Sequence, residues 1–223
     1  MDRHLYKIYC AGPLFNPKER EDMSSIAKAL ERAGYKVFLP HRDGLELAKI
    51  LPVLRNQKLS AEDASAIVNR AIFSLDVFEI MDSHGIVVNM NGRVPDEGAM
   101  VEAGIAWSHG KALVIFNSDT RSLVQGNCNP LLLGLSNFEY VAEYERLSSV
   151  FDRKFVEMKH NGLANSSSLF DDAQTKGKAI RDSLLSKRSS SELALLLVNL
   201  FGEVICQTSE DQKTNCSPVR TRA

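Results

Sequence analysis

An α/β fold built on a parallel sheet is the architecture this sequence predicts, and two observations predict it. Short apolar runs alternate with stretches of helical periodicity through the first half of the chain. Two of those runs, 86–90 and 112–116, are apolar almost throughout, as strands covered on both faces are. A sheet of about five strands with helices on both faces follows, with a helical extension at the C-terminus.

The first strand is Leu5-Tyr6-Lys7-Ile8-Tyr9-Cys10, stopped by Gly12-Pro13. Residues from about Lys18 to Ala33 carry Met23, Ile26, Ala27 and Leu30 at helical spacing, and Gly34 ends the pattern. A second short strand, Tyr35 to Leu39, is closed by Pro40, and His41 to Leu59 reads as a loop with a short helix. Ser60 with Asp63 three positions on marks the start of a helix that runs through Ile67, Ala71 and Leu75 to about Met81. The third strand, Gly85 to Met90, ends at Asn91-Gly92. A helix opens near Asp96 and closes at His109-Gly110, before the fourth strand, Ala112 to Phe116. A final short strand is expected at Phe138-Glu139-Tyr140.

Beyond Glu143 the pattern turns helical, over roughly 143–160 and 190–201, on either side of a polar stretch containing Asn165-Ser166-Ser167-Ser168. The expected division is an α/β domain over 1–145, a helical extension over 146–205 and a disordered tail over 206–223.

Composition excludes several function classes. Twenty-seven Lys and Arg against 28 Asp and Glu leave a net charge of −1 in 223 residues, which gives no electrostatic reason to expect nucleic acid or an anionic membrane as partner. No apolar run approaches the ~20 residues of a membrane span, and the start lacks a signal-peptide pattern. The four cysteines, at 10, 128, 206 and 216, form no Cys-x-x-Cys pair, so neither a zinc site nor a disulfide framework is expected. A cytoplasmic setting with free thiols and no metal follows.

Ligands of parallel sheets sit beyond the carboxyl ends of the strands, where the densest carboxylate cluster is Asp96, Glu97 and Glu102. Asp96 is placed to cap its helix. Glu102 stands among Met100, Val101, Ala103 and Gly104, so on the sheet-facing side of the helix it would be partly desolvated. An oriented, poorly hydrated carboxylate suits attack on a sugar anomeric carbon. The same residue on the outer helix face would be an ordinary solvated glutamate, and composition leaves both readings open. The single glycine of Gly12-Pro13 is no phosphate loop. It makes a tight turn at which a ligand could approach, with Phe15 beside it as a stacking face or a core residue. Asp82, at a helix C-terminus, opposes the helix dipole and hints at a local partner, although a solvated end is the plainer reading.

Lys7-Ile8-Tyr9-Cys10-Ala11-Gly12-Pro13-Leu14-Phe15, Asp76, Pro95-Asp96-Glu97-Gly98-Ala99-Met100-Val101-Glu102-Ala103-Gly104 and Gly110-Lys111 together resemble the nucleoside 2-deoxyribosyltransferases, over roughly residues 5–145. The resemblance implies a flavodoxin-like (Rossmann-like) fold and a double displacement that needs no cofactor. A glutamate attacks C1′ of a 2′-deoxynucleoside, and the deoxyribosyl ester is then captured by another purine or pyrimidine base. By position Glu102 would be the nucleophile, Asp96 would orient it and handle the proton of the leaving base, and Asp76 would contact the base. Tyr9 would hydrogen-bond the nucleophile, and Gly12, Phe15 and Gly98 would line the substrate. Asn129, or else Asn127, resembles an asparagine donated to the sugar hydroxyls by a neighbouring subunit, which implies a homo-oligomer with sites at its interfaces and a role in purine salvage.

The chain departs from that pattern at Ala99 and Met100, where a small hydroxyl residue and alanine are usual, and it continues past the family's usual end. Two other readings remain. One is a hydrolase of 2′-deoxynucleosides or their 5′-monophosphates. The branch that cleaves monophosphates places serine and arginine in the first loop, where this chain has Pro13-Leu14-Phe15-Asn16. Arg42 and Arg121 are the cations left to reach a phosphate. The other is a nucleoside-binding sensor without turnover.

Overall fold

The structure is a computed structural model and describes residues 1–45, 47–55, 60–92, 94–119, 129–161, 165–186 and 189–201. Four strands, β1 (Lys7–Ala11), β2 (Lys36–Phe38), β3 (Gly85–Asn89) and β4 (Ala112–Phe116), form a parallel sheet in the order β2-β1-β3-β4. In register, Tyr9 lies beside Phe38 on one side and Ile86 on the other, and Asn89 lies beside Phe116. This is the flavodoxin-like order, and its direction reverses between β1 and β3.

The connecting helices are α1 (Pro17–Arg32), α2 (Pro40–Asp43), α3 (Leu47–Arg55), α4 (Ala61–Asp82), α5 (Glu97–Ser108), α6 (Pro130–Leu135) and α7 (Leu147–Asn161). Strand residues alternate faces. Ile8, Cys10, Val87, Val114 and Phe116 pack with α1 and α7, and Tyr9, Ala11, Ile86, Val88, Leu113 and Ile115 pack with α4 and α5. The buried stripe of α1 is Met23, Ile26, Ala27 and Leu30, the four positions its periodicity predicts.

The expected fifth strand is reduced to one parallel bridge, Phe116 to Val141. Asn137 and Phe138 both have left-handed backbones, with φ of 61° and 62°, which stops the chain from running extended before Val141. The chain after residue 145 also joins the α/β core. Leu147, Phe151 and Phe155 of α7 are buried, Phe155 stacks on Tyr6 at 4.4 Å, and Asp152 accepts from both Arg3 and the Tyr35 hydroxyl. Gly85 leaves the room for this: a Cβ there would come within 2.9 Å of the Phe151 ring. The first compact unit accordingly runs from Met1 to Ser166.

The second unit begins at Ser167. Here α8 (Asn165–Leu185) occupies the polar stretch, followed by α9 over 190–201. The i,i+4 pairs Lys176–Asp172 and Lys178–Asp182 support α8, and the Lys176 ammonium lies over the Phe201 ring at 5.5 Å. The tail over 206–223 lies outside the described residues. Among the described residues no helix is long and apolar enough to cross a membrane.

Candidate active site

α5 carries the central carboxylate. Ala99, Ala103 and Ala106 are its buried residues, and with Glu102 they make an i, i+3, i+4, i+7 stripe facing the sheet. Three alanines allow a close approach of helix to sheet, and the one long side chain in the stripe is Glu102. That spacing is the signal that places Glu102 on the inner face. The helix begins where Asp96 caps it, Oδ1 accepting from the Ala99 amide at 2.7 Å.

From β1, the Tyr9 hydroxyl donates to Glu102 Oε1 at 2.6 Å. Tyr9 is fully buried, its ring stacked against Phe38 with centroids 5.6 Å apart. Asp76 of α4 is the second acceptor within reach of the same hydroxyl. Tyr9 therefore links β1 to both carboxylate-bearing helices, α4 and α5, beside the β1/β3 reversal where such sheets bind ligands.

Loss of hydration pushes the Glu102 carboxyl up to about 7, with Asp76 and Asp96 adding repulsion and the Tyr9 hydrogen bond opposing the rise. Asp76 is also raised, first by burial and then by Glu79, while Tyr9 lowers it. Burial and the two carboxylates push Tyr9 far above its ordinary value, so it remains a hydrogen-bond donor across the whole working range of pH.

Two lysines anchor α4. Lys7 pairs with Glu79 and, at 2.7 Å, with Asp82, the local partner for the helix C-terminus. Lys111 caps the same end, Nζ donating to the Ser83 carbonyl at 2.7 Å and to the Met81 carbonyl at 2.5 Å. Lys7 and Lys111 fall within the blocks that carry the resemblance, but their anchoring role is not legible there because their partners are distant: 72 and 75 positions away for Lys7 and 28 and 30 for Lys111.

The loops after β3 and β4 are tied together. Asn91 Oδ1 accepts from the Ser118 and Asp119 amides at 2.8 and 3.1 Å, and Asp119 Oδ2 accepts from the Gly92 amide at 3.1 Å. Asn89 and Asn117, both buried, accept from the Asn91 and Asp119 amides.

Other expected residues have simpler surroundings. A Cβ on Gly12 would come within 2.5 Å of Met23 Sδ and 2.8 Å of Asn89 Cβ, so packing of the first loop against α1 and β3 demands glycine there. Phe15 is 82% exposed and thus no core residue. At Gly98 a Cβ would meet the capping oxygen of Asp96 at 3.2 Å. Asn129 is exposed and caps α6, its Oδ1 accepting from the Leu131 amide at 2.9 Å. Asn127 and Arg121 lie outside the described residues. A surface cleft of about 600 Å³ lined by Met1, Arg3, Gly34 and Asp152 touches none of the three carboxylates.

Fold and site together define a doubly wound α/β protein with an anionic, partly desolvated cluster at the carboxyl edge of its sheet. Residues 8–184 match the nucleoside 2-deoxyribosyltransferase family, and the chain belongs to it. Among solved structures it is similar to a conserved protein from Enterococcus faecalis V583, at 20% identity over 66% of this chain and 98% of that one, with a TM-score of 0.50. It is similar also to a 2-deoxyribosyltransferase from Bacillus psychrosaccharolyticus, at 19% identity over 64% of this chain and 90% of that one, TM-score 0.45. A third is the 2-deoxyribosyltransferase of Leishmania mexicana, at 20% identity over 68% and 97%, TM-score 0.40. At these identities the likeness is one of fold. No curated protein matches the chain.

Proposed function

We propose that the protein exchanges the base of 2′-deoxynucleosides through a deoxyribosyl ester on Glu102. The observation that carries this reading is the 2.6 Å hydrogen bond from Tyr9 to a Glu102 carboxylate deprived of water beside the strand reversal. Tyr9 holds one carboxylate oxygen and leaves the other to attack C1′. As that C–O bond forms, the C1′–N bond breaks, and the base leaves with the bonding pair and takes up a proton through Asp96. A nitrogen of the second base then attacks C1′, the carboxylate departs, and the proton returns. Cleavage passes through an oxocarbenium-like state, which a 2-deoxy sugar reaches readily because no electronegative hydroxyl sits beside the developing charge. A carboxylate and a proton donor then suffice.

In this reading Asp76 contacts the base, exposed Phe15 packs on it, and Gly12 and Gly98 keep the floor of the site low. Asn129, exposed at the start of α6, serves the sugar hydroxyls of a neighbouring copy in a cytoplasmic homo-oligomer. Asp96 has one oxygen committed to its helix cap, so Oδ2 is the atom that exchanges the proton.

Chromatography of 2′-deoxyinosine incubated with the protein, with and without adenine, tests the reading. Formation of 2′-deoxyadenosine only when adenine is present supports base exchange. Release of hypoxanthine and free deoxyribose regardless of adenine replaces transfer with hydrolysis, and no change in any donor returns the chain to a binding role.

A further inference from the structure

β1 and α4 face each other across a row of charges. Lys7 and Tyr9 stand two positions apart on one face of β1. Along α4, Asp76, Glu79 and Asp82 follow at steps of three. The Lys7 ammonium pairs with Glu79 and, at 2.7 Å, with Asp82, while the Tyr9 hydroxyl has Asp76 within reach. The two spacings agree. Two strand residues span about 6.6 Å. On a helix rising about 1.5 Å per residue, a cation bridging Glu79 and Asp82 sits about 6.8 Å from Asp76.

Apolar packing fixes this register weakly. The buried residues of α4 are Ala64, Val68 and Ile80, with none between the last two. Lys111 grips the carbonyls of Met81 and Ser83, at the very end of the helix. Lys7 is itself held in place. Its amide donates to His84 Nδ1 at 3.1 Å, and its carbonyl accepts from the His84 amide at 2.8 Å. Its ammonium lies 5.8 Å from the centre of the Phe38 ring, which stacks on Tyr9.

We propose that Lys7 is a positioning residue. By holding Glu79 and Asp82 it fixes α4 along β1, so that Asp76 stands at the Tyr9 hydroxyl and its charge faces the Glu102 carboxylate. This rests on the nucleoside chemistry proposed above, which it deepens by naming the residue that seats Asp76 for the base.

Among the described residues, the groups facing Glu102 are Tyr9, Asp76 and Asp96, and those facing Asp76 are Tyr9 and Glu79. Lys7 belongs to neither set and acts through Glu79. Without the ammonium, the Glu79 charge stands unbalanced beside Asp76, which keeps its proton to higher pH or moves off Tyr9. Either way Glu102 loses the repulsion of a charged Asp76. Its titration then moves to lower pH, opposite to the effect of losing the Tyr9 hydroxyl.

The test follows the Glu102 carboxyl by carbon NMR in the full chain labelled at glutamate, its resonance identified by its loss in Glu102→Gln. The pH profile of kcat/KM with 2′-deoxyinosine and adenine is recorded alongside. Lys7→Met keeps the stem over Phe38, and is expected to move both the titration and the acid limb down by about 0.5 pH or more. At the plateau kcat/KM falls about tenfold or more, because Asp76 no longer meets the base in place. Lys7→Arg keeps both ion pairs and the original limb. In an Asp76→Asn background Lys7→Met moves the Glu102 titration no further. Glu79→Gln combined with Asp82→Asn releases α4 with Lys7 intact and gives the same downward shift. That pair replaces Lys7→Met if circular dichroism shows the latter unfolded. A Glu102 titration unmoved or raised in the folded variants overturns the proposal, as does a further shift in the Asp76→Asn background. Failure of the unaltered chain to act on any donor overturns the exchange reading instead, and the NMR titration then decides the seating of Asp76 by itself.

Discussion

The Tyr9 hydroxyl and Glu102 Oε1 stand 2.6 Å apart although 93 positions separate them in the chain. One residue sits in the middle of the second strand from the sheet edge, the other in the second turn of α5. The hydrogen bond lowers the Glu102 pKa while burial and two neighbouring carboxylates raise it, and the balance falls at about 7. Four predictions follow from that balance and from the packing around it.

Replacing Glu102 with alanine removes the proposed nucleophile and leaves the Tyr9 ring and its stacking partner Phe38 in place. Turnover of 2′-deoxyinosine is expected to fall on the order of a thousandfold or more. Affinity for the nucleoside, read by calorimetry, stays within a few-fold. Undiminished turnover would remove Glu102 from the mechanism.

Attack requires the ionised carboxylate, so kcat/KM is expected to fall as pH drops below about 7. Tyr9→Phe deletes the one interaction that favours ionisation. The acid limb of the profile should therefore move to higher pH, with activity at neutral pH reduced about tenfold. A limb that stays in place after this substitution separates Glu102 from the titration.

The same group makes stability depend on pH. A carboxyl raised in the folded state binds its proton more tightly there than in the unfolded chain, where 4.5 is ordinary. Folding is therefore penalised progressively as pH rises from about 4.5 to about 7, and fully above that. Glu102→Gln keeps an acceptor for Tyr9 without the charge. It should raise stability at pH 8 on the order of 2 kcal/mol, with little change near pH 4, as measured by denaturant unfolding. An inactive variant that is more stable is the signature of a site strained for function.

Gly12→Ala puts a methyl within 2.5 Å of Met23 Sδ and 2.8 Å of Asn89 Cβ, both in the interior. A loss of about 1–3 kcal/mol is expected, the usual cost of overpacking. Unchanged thermal unfolding would show that the first loop is looser than its packing implies.

Much of the fold was legible because it is written in local patterns. Contiguous apolar runs marked β3 and β4, Ser60 marked the start of α4, and Asp96 marked the start of α5. What was not legible depends on backbone sign or distant pairing. Nothing in Phe138-Glu139-Tyr140 announces that Asn137 and Phe138 turn left-handed and reduce a strand to a bridge. The helix over Asn165–Leu185 begins in a polar serine run that marks no helix start. α7 belongs to the first unit because Phe151 and Phe155 find Tyr6 and Tyr35, which lie more than 100 positions earlier. In the site, the spacing of Ala99, Glu102, Ala103 and Ala106 could have settled which way Glu102 faces. The meeting with Tyr9 could not be read from spacing at all.

The cross-tie between the loops after β3 and β4 has a kinetic consequence. The amides of Gly92, Ser118 and Asp119 donate to side chains of the opposite loop, so each loop supplies acceptors to the other. Neither loop can lift without releasing amides of both. The rim of the site over β3 and β4 then opens to solvent as a single event, and its three cross-tied amides share one hydrogen-exchange clock.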